Sequence, residues 1–231
     1  MYLNAEQSGI LLIDKPKGLT SFGVIRELRK KLNVKKMGHA GTLDPLATGL
    51  LIIAVGKSTK QISEFMGLPK EYEVEIEFGK ISNTYDADGT LTPFTSAAFP
   101  DASVFTDSQW CSKEKFAKVL PQFTGEIMQM PPIFSALKVK GQRAYDLART
   151  GQEVHLEPRK VTISEIEIIN YNWPFVSLRV ACSKGTYIRS LAHDLGQVLG
   201  CGGYVKELRR TKIGHYTVNN AYTLQTISPQ T

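Results

Sequence analysis

One acidic residue stands out by its neighbours. Asp44 lies in GHAGTLDPLATGLL, residues 38–51, a loop with three glycines that leads into the apolar run 50–55. The proline that follows biases Asp44 toward extended backbone. Gly38, Gly41 and Gly49 allow tight turns and close approach of a ligand. A carboxylate in such a loop, with a buried strand behind it, can act on a bound molecule. The alternative reading is an aspartate that caps a turn.

The other chemistry-bearing stretches are weaker. GKST at 56–59 ends like a phosphate-binding loop, but the glycine such a loop needs five residues earlier is Leu51. DADGT at 86–90 fits the opening of a magnesium-dependent phosphatase site with Asp86 as nucleophile, yet a polar stretch precedes it where a buried strand is required. An Asx-type turn accounts for it better. His39, His155, His193 and His215 show no metal-ligand spacing, and no nucleophile elbow is present. Cys111, Cys182 and Cys201 form no paired motif, which suits reduced thiols rather than a disulfide framework.

The elements that must position Asp44 follow from periodicity. GILLIDKPKG (9–18) reads as a strand ending in a turn. TSFGVIRELRKKLN (20–33) reads as a helix capped by Thr20 or Ser21, with Phe22, Ile25, Leu28 and Leu32 inward and Arg26, Arg29, Lys30 and Lys31 outward. LLIIAV (50–55) is a buried strand, and a short helix covers about 58–66. EYEVEIEF (71–78) alternates, with Tyr72, Val74, Ile76 and Phe78 on one face and four glutamates on the other. Residues 82–111 read as a long irregular segment. A helix is expected near 112–120, and another over 142–151 with Gly151 as its C-cap. Strands follow at 159–171 and 174–182. Residues 185–200 form a helix with Ile188, Leu191, Leu195 and Val198 inward, and 204–216 is a basic strand region. The mixture lacks a regular βαβ rhythm, so the class is α+β.

The chain has 231 residues, 42% hydrophobic and 22% charged, enough for a stable core and too apolar for disorder as a whole. No apolar run nears the roughly 20 residues of a membrane helix, and no signal-peptide pattern opens the chain. The net charge of +6 is segregated: residues 1–70 carry +6, residues 71–130 carry −6 and residues 131–231 carry +6. Two basic thirds around an acidic middle suit a polyanion such as nucleic acid, although a mildly basic solvated surface looks the same from charge alone.

Five ordered stretches carry a resemblance. LLIDKPKGLTS (11–21), GHAGTLDPLATGLLIIAVGKSTK (38–60), KEYEVEIEFGKISNTYDADG (70–89), PPIFSALKVKGQRAYDLARTG (131–151) and CSKGTYIRSLAHDLGQVLGCGGYVKELRRTKIG (182–214) resemble the TruB family. These are tRNA pseudouridine synthases that modify the T-loop uridine, position 55 of tRNA. The resemblance implies the pseudouridine synthase fold, a mixed and mainly antiparallel sheet flanked by helices and loops with a central RNA-binding cleft. It implies an isomerase without a cofactor or metal, acting as a cytoplasmic monomer on the tRNA T arm. The enzyme breaks the bond from uracil N1 to ribose C1′, turns the flipped base and rejoins it through C5.

The resemblance also assigns roles. Asp44 is the catalytic nucleophile. Arg189, in KGTYIR, pairs with it; read without the resemblance, it is an exposed arginine at a helix start. Tyr72 packs on the target uracil, although its place on an apolar strand face also suits core. His39 enters the RNA near the space left by the flipped base, where a loop histidine is otherwise a turn residue. Tyr187, Lys184, Lys15 and Gly41 are further substrate contacts. Leu208 is a wall of the uracil pocket or a strand-core residue. Arg26, Arg29, Lys30, Lys31, Lys35, Lys36, Arg209 and Arg210 are candidate phosphate contacts. Two departures stand out. The chain ends at Thr231, which leaves no room for the PUA-like domain of many bacterial members, so a single catalytic domain over 1–231 is expected. Residues 92–111 match nothing in the family and are expected to be a thumb-like RNA-gripping loop or a surface insert.

Overall fold

The computed structural model describes residues 8–227 apart from 98, 108, 136, 140–141 and 144–153. The helix expected over 142–151 falls almost entirely outside the described residues. The chain divides into two compact units, Met1–Tyr72 with Leu208–Thr231, and Glu73–Glu207.

The first unit is built around a strand with no exposed face. β1 (Gly9–Lys15) leads to α1 (Ser21–Leu32), then β2 (Met37–His39), the Asp44 loop and β3 (Thr48–Val55). β1 runs antiparallel to β3, with Lys15 opposite Gly49, and β2 also pairs antiparallel, with His39 opposite Ile53. Leu51, Ile53 and Val55 pack with Leu11, Ile13 and the α1 residues Val24, Ile25, Leu28 and Leu32. Leu50 and Ile52 pack on the opposite side with Ala40, Phe65 and Ile213. Burial of both faces explains why 50–55 is continuously apolar rather than alternating. α2 (Ile62–Gly67) follows a 3₁₀ turn over Gly56–Gln61. In that turn Thr59 donates to the Gly56 carbonyl at 2.8 Å, so GKST closes on itself.

Thr20 is the cap of α1, accepting the Gly23 N–H at 2.9 Å, and Asn33 ends the helix in the left-handed region at φ 51°. Phe22, expected inward, is 54% exposed and carries the Arg29 guanidinium 5.6 Å from its ring centre. The apolar stripe is centred on 24, 25, 28 and 32, which turns position 22 outward.

The second unit begins within β4 (Lys70–Phe78), which the chain enters from the first. β5 (Lys80–Ser82) pairs with β6 (Leu91–Pro93), α3 spans Lys113–Val119, and β7 spans Gly125–Gln129. β8 (Lys138–Val139) and β9 (Gln142–Arg143) form a short ladder. β10 (Arg159–Asn172) pairs antiparallel with both β7 and β11 (Phe175–Cys182). α4 (Ile188–Val198) precedes β12 (Gly203–Ile213), whose second half returns to the first unit, where β13 (Tyr216–Thr217) pairs with it. There β12 lies parallel to β3, with Arg209 opposite Thr48 and Arg210 opposite Gly49. The sheet is therefore mixed, as expected of this α+β class.

On β4, Val74, Ile76 and Phe78 are buried as the alternation predicts, and Tyr72 is half-buried. Its glutamates meet cations and hydroxyls. Glu75 accepts Lys206 at 2.9 Å, and buried Glu77 accepts Lys80 at 2.7 Å and the Tyr204 hydroxyl. On α4 the inward residues are Ile188, Leu191, Ala192 and Leu195, and the C-cap Leu199 is also buried, whereas Val198, expected inward, is 49% exposed. Within 92–111, Phe105 is fully buried, and its ring meets Phe94, Phe99 and Trp110 at 5.2, 5.8 and 4.8 Å. Trp173 donates to the Phe105 carbonyl at 2.9 Å. The described part of this segment is a packed aromatic cluster.

Candidate active site

In the first unit three polar side chains, all buried, hold the loop that carries Asp44. Ser21, at the start of α1, donates to the Leu43 carbonyl at 3.1 Å and accepts the Leu43 N–H at 2.8 Å. Lys15, at the end of β1, donates to the carbonyls of Pro16, Leu19 and Pro45 at 2.9, 2.7 and 3.3 Å. Arg210, on β12, donates to the carbonyls of Leu50, Thr42 and Gly41 at 2.8, 3.4 and 3.1 Å. The backbone is thus fixed at residues 43 and 45, on both sides of Asp44. Leaving such a carbonyl without a donor costs about 1–3 kcal/mol, so these contacts make one loop conformation strongly preferred.

Glycines permit the close packing. Gly41 has φ +96° and Gly49 φ +99°, both in the region that favours glycine. A Cβ at Gly49 would lie 2.3 Å from the Arg210 carbonyl oxygen, so the parallel approach of β12 to β3 requires glycine there.

Two expectations are corrected here. Lys15 is 0% exposed and Arg210 is 1% exposed. Their donors are spent on loop carbonyls, so they act as clamps of the loop rather than as contacts to RNA. Lys31 donates to the Leu224 carbonyl at 2.6 Å, and Arg209 grips the Asp14 carboxylate with two bonds of 3.0 and 2.7 Å. Arg26, Lys30, Lys35 and Lys36 remain exposed. His39 closes β2 and is half-buried, Asp44 is half-buried, and Leu208 is buried, its carbonyl accepting Thr48 at 3.4 Å.

The second unit assembles a different group around the start of α4. Tyr187 occupies the N-cap position without a side-chain cap. Gln129 replaces that cap: its amide nitrogen donates to the Tyr187 carbonyl at 3.0 Å, and its oxygen accepts the Tyr187 N–H at 2.8 Å. Ser190 donates to the Met130 carbonyl at 2.7 Å. Arg189 is buried rather than exposed at the helix start. It donates to the carbonyls of Thr84 and Phe134 at 3.1 and 3.0 Å, and its Nε lies 3.6 Å from Asp86 Oδ2. Lys184 is exposed in the preceding turn. Gln129 escaped the sequence reading because nothing local marks it; its partner lies 58 residues away.

DADGT resolves as a turn. Asp86 is 4% exposed, accepts the Thr84 hydroxyl at 2.5 Å and the Asp88 N–H at 3.2 Å, and pairs with Arg189. A carboxylate so engaged is not a phosphatase nucleophile. Among the described residues no group of three His, Cys, Asp or Glu side chains could hold a metal, and no helix is long and apolar enough to cross a membrane.

Comparison with known proteins agrees with this architecture. The chain superposes on the archaeal box H/ACA sRNP Nop10–Cbf5 complex with a TM-score of 0.68 and 27% identity, covering 96% of this chain and 53% of that one. A Cbf5–Nop10–Gar1 complex gives a TM-score of 0.68 at 30% identity, covering 94% and 52%. The chain thus spans about half the length of the solved chains it matches. In class the fold is that of the pseudouridine synthases.

Residues 29–188 match the TruB family pseudouridylate synthase N-terminal domain, and residues 189–230 match the tRNA pseudouridylate synthase B C-terminal domain. The tRNA pseudouridine synthase B of Clostridium tetani is 43% identical over 96% of this chain and 73% of its own length. That of Aquifex aeolicus is 45% identical over 94% and 72%. The chain belongs to the TruB family.

Proposed function

We infer that this chain is a tRNA pseudouridine synthase that converts the T-loop uridine of tRNA to pseudouridine. Relatives at 43–45% identity over more than nine-tenths of the chain are named tRNA pseudouridine synthase B. The observation that carries the mechanistic part is the fixed loop: Asp44 stands between backbone positions held by Ser21 and Lys15. A carboxylate fixed in advance loses little freedom when it engages substrate.

In this reading the target uridine leaves its stack and enters the site. Asp44 acts as the nucleophile, and any bond its carboxylate makes to the nucleoside is broken again before product leaves, which regenerates the free carboxylate. The N1–C1′ bond breaks, the uracil turns, and a C5–C1′ bond forms. The C5 proton is lost to solvent and N1 gains one, so the product is an isomer and no redox partner is needed. Tyr72 supplies a ring for the flipped base, a contact worth about 1–3 kcal/mol per stacked base. Arg189, buried beside Asp86 in the second unit, is the cation of the proposed chemistry. His39, Gly41, Tyr187, Lys184 and Leu208 line the path of the RNA. The exposed Arg26, Lys30, Lys35 and Lys36 meet phosphates of the T arm. The chain acts as a cytoplasmic monomer.

The test is pseudouridine mapping on tRNA treated with the wild-type chain and with Asp44→Ala. The wild type should modify the T-loop uridine, and the variant should bind tRNA with unchanged Kd while forming no product. Full activity in Asp44→Ala would sink the assignment.

A further inference from the structure

The turn that engages Arg189 contains an unusual residue. Tyr85 has φ +63°, the left-handed region, without being glycine. For a residue with a Cβ this conformation costs about 1–2 kcal/mol and persists only when its surroundings hold it. Its ring lies flat on the imidazole of His193, with centroids 4.0 Å apart and planes 10° from parallel. His193 is four residues beyond Arg189 on α4, so both project from one helix face. Arg189 holds Thr84 and Asp86, and His193 holds Tyr85 between them. The Tyr85 carbonyl also accepts the Val205 N–H at 3.0 Å, and Ala87 donates back to Val205 at 2.9 Å. Gly89 closes the turn where a Cβ would meet the side chains of Thr84, Asn83 and Ser82 at 2.3–2.5 Å.

The imidazole contributes its face here. His193 Nδ1 is buried and has no hydrogen-bond partner among the described residues. Burial also pulls the His193 pKa down, which favours the neutral ring. Neither Tyr85 nor His193 has a part in the chemistry proposed above.

We propose that His193 is a positioning residue of the reaction: by stacking on Tyr85 it fixes the Thr84 carbonyl and the Asp86 carboxylate, and through them the guanidinium of Arg189. This rests on the tRNA pseudouridine synthase reading. Single-turnover pseudouridine formation and tRNA Kd are measured for the wild type, Asp44→Ala, His193→Ala and His193→Phe. His193→Ala should slow the chemical step about three- to tenfold, the scale of one aromatic contact, with Kd unchanged. His193→Phe keeps a flat ring without the nitrogens and should restore most of the wild-type rate. An unchanged rate in His193→Ala, a change confined to Kd, or a phenylalanine variant as slow as the alanine one overturns the proposal. Should His193→Ala fail to fold, the phenylalanine variant decides by itself: a near-wild-type rate supports the stack, and a slow rate overturns it. An inactive wild type, or an active Asp44→Ala, instead overturns the function reading.

Discussion

The Nε of Arg189 lies 3.6 Å from Oδ2 of Asp86, and each side chain is only 6% exposed. Two backbone carbonyls, those of Thr84 and Phe134, also accept from the guanidinium. The arginine at the start of α4 is therefore aimed by its own unit, through a turn about a hundred residues earlier in the chain.

Removing the Asp86 charge should be felt in stability as well as rate. Asp86→Asn keeps the side-chain shape but weakens the hold on Arg189. The expected loss is about 2 kcal/mol, below the cost of a fully stranded buried charge because the two carbonyls remain. For a chain of this size that corresponds to a Tm drop of about 4–8 °C by calorimetry. The single-turnover rate should fall as well, with tRNA Kd nearly unchanged.

The clamps and the surface cations should separate in salt. Arg26→Ala and Lys30→Ala each remove an exposed charge and should lower the slope of log Kd against log salt by about 1 if the residue meets a phosphate. Lys15→Met removes a buried donor to three carbonyls and should leave that slope intact while lowering Tm and the chemical rate. Filter binding across a salt series distinguishes the two behaviours.

Asp194 gives the folded chain a pH signature. Burial pushes its carboxyl up from 3.8 to about 6. The folded chain thus holds a proton that the unfolded chain releases, so the associated stability is present below pH 3.8 and is lost as pH rises to about 6. Asp194→Asn should raise stability at pH 8 by about 1 kcal/mol, a figure reduced for partial solvent exposure, and should change little at pH 3.5. Thermal unfolding of both chains across this range is the measurement. An equal gain at both ends would contradict the assignment.

Much of the fold was legible because it is locally encoded. The apolar run at 50–55, the alternation at 71–78 and the Thr20 cap each follow from a few adjacent residues. The Asp44 loop stood out for the same reason, by its glycines and its proline. What escaped was set by distant partners. Lys15 and Arg210 are expected as a substrate contact and a phosphate contact, and only the convergence of β1 and β12 on one loop buries them. Phe22 fits an inward helical position until the stripe is placed by its real neighbours. Residues 82–111 read as a long irregular segment, yet Phe94, Phe99, Phe105 and Trp110 find one another within it. Gln129 acquires meaning only beside Tyr187.

Leu50, Leu51, Ile52, Ile53 and Ala54 are each 0% exposed, on a strand paired along both edges. Amides in such a strand exchange with solvent only when the surrounding unit opens as a whole. The loop that bears Asp44 is moored directly to this slowest-opening part of its unit. The backbone on either side of Asp44 is therefore anchored to a strand that solvent does not reach.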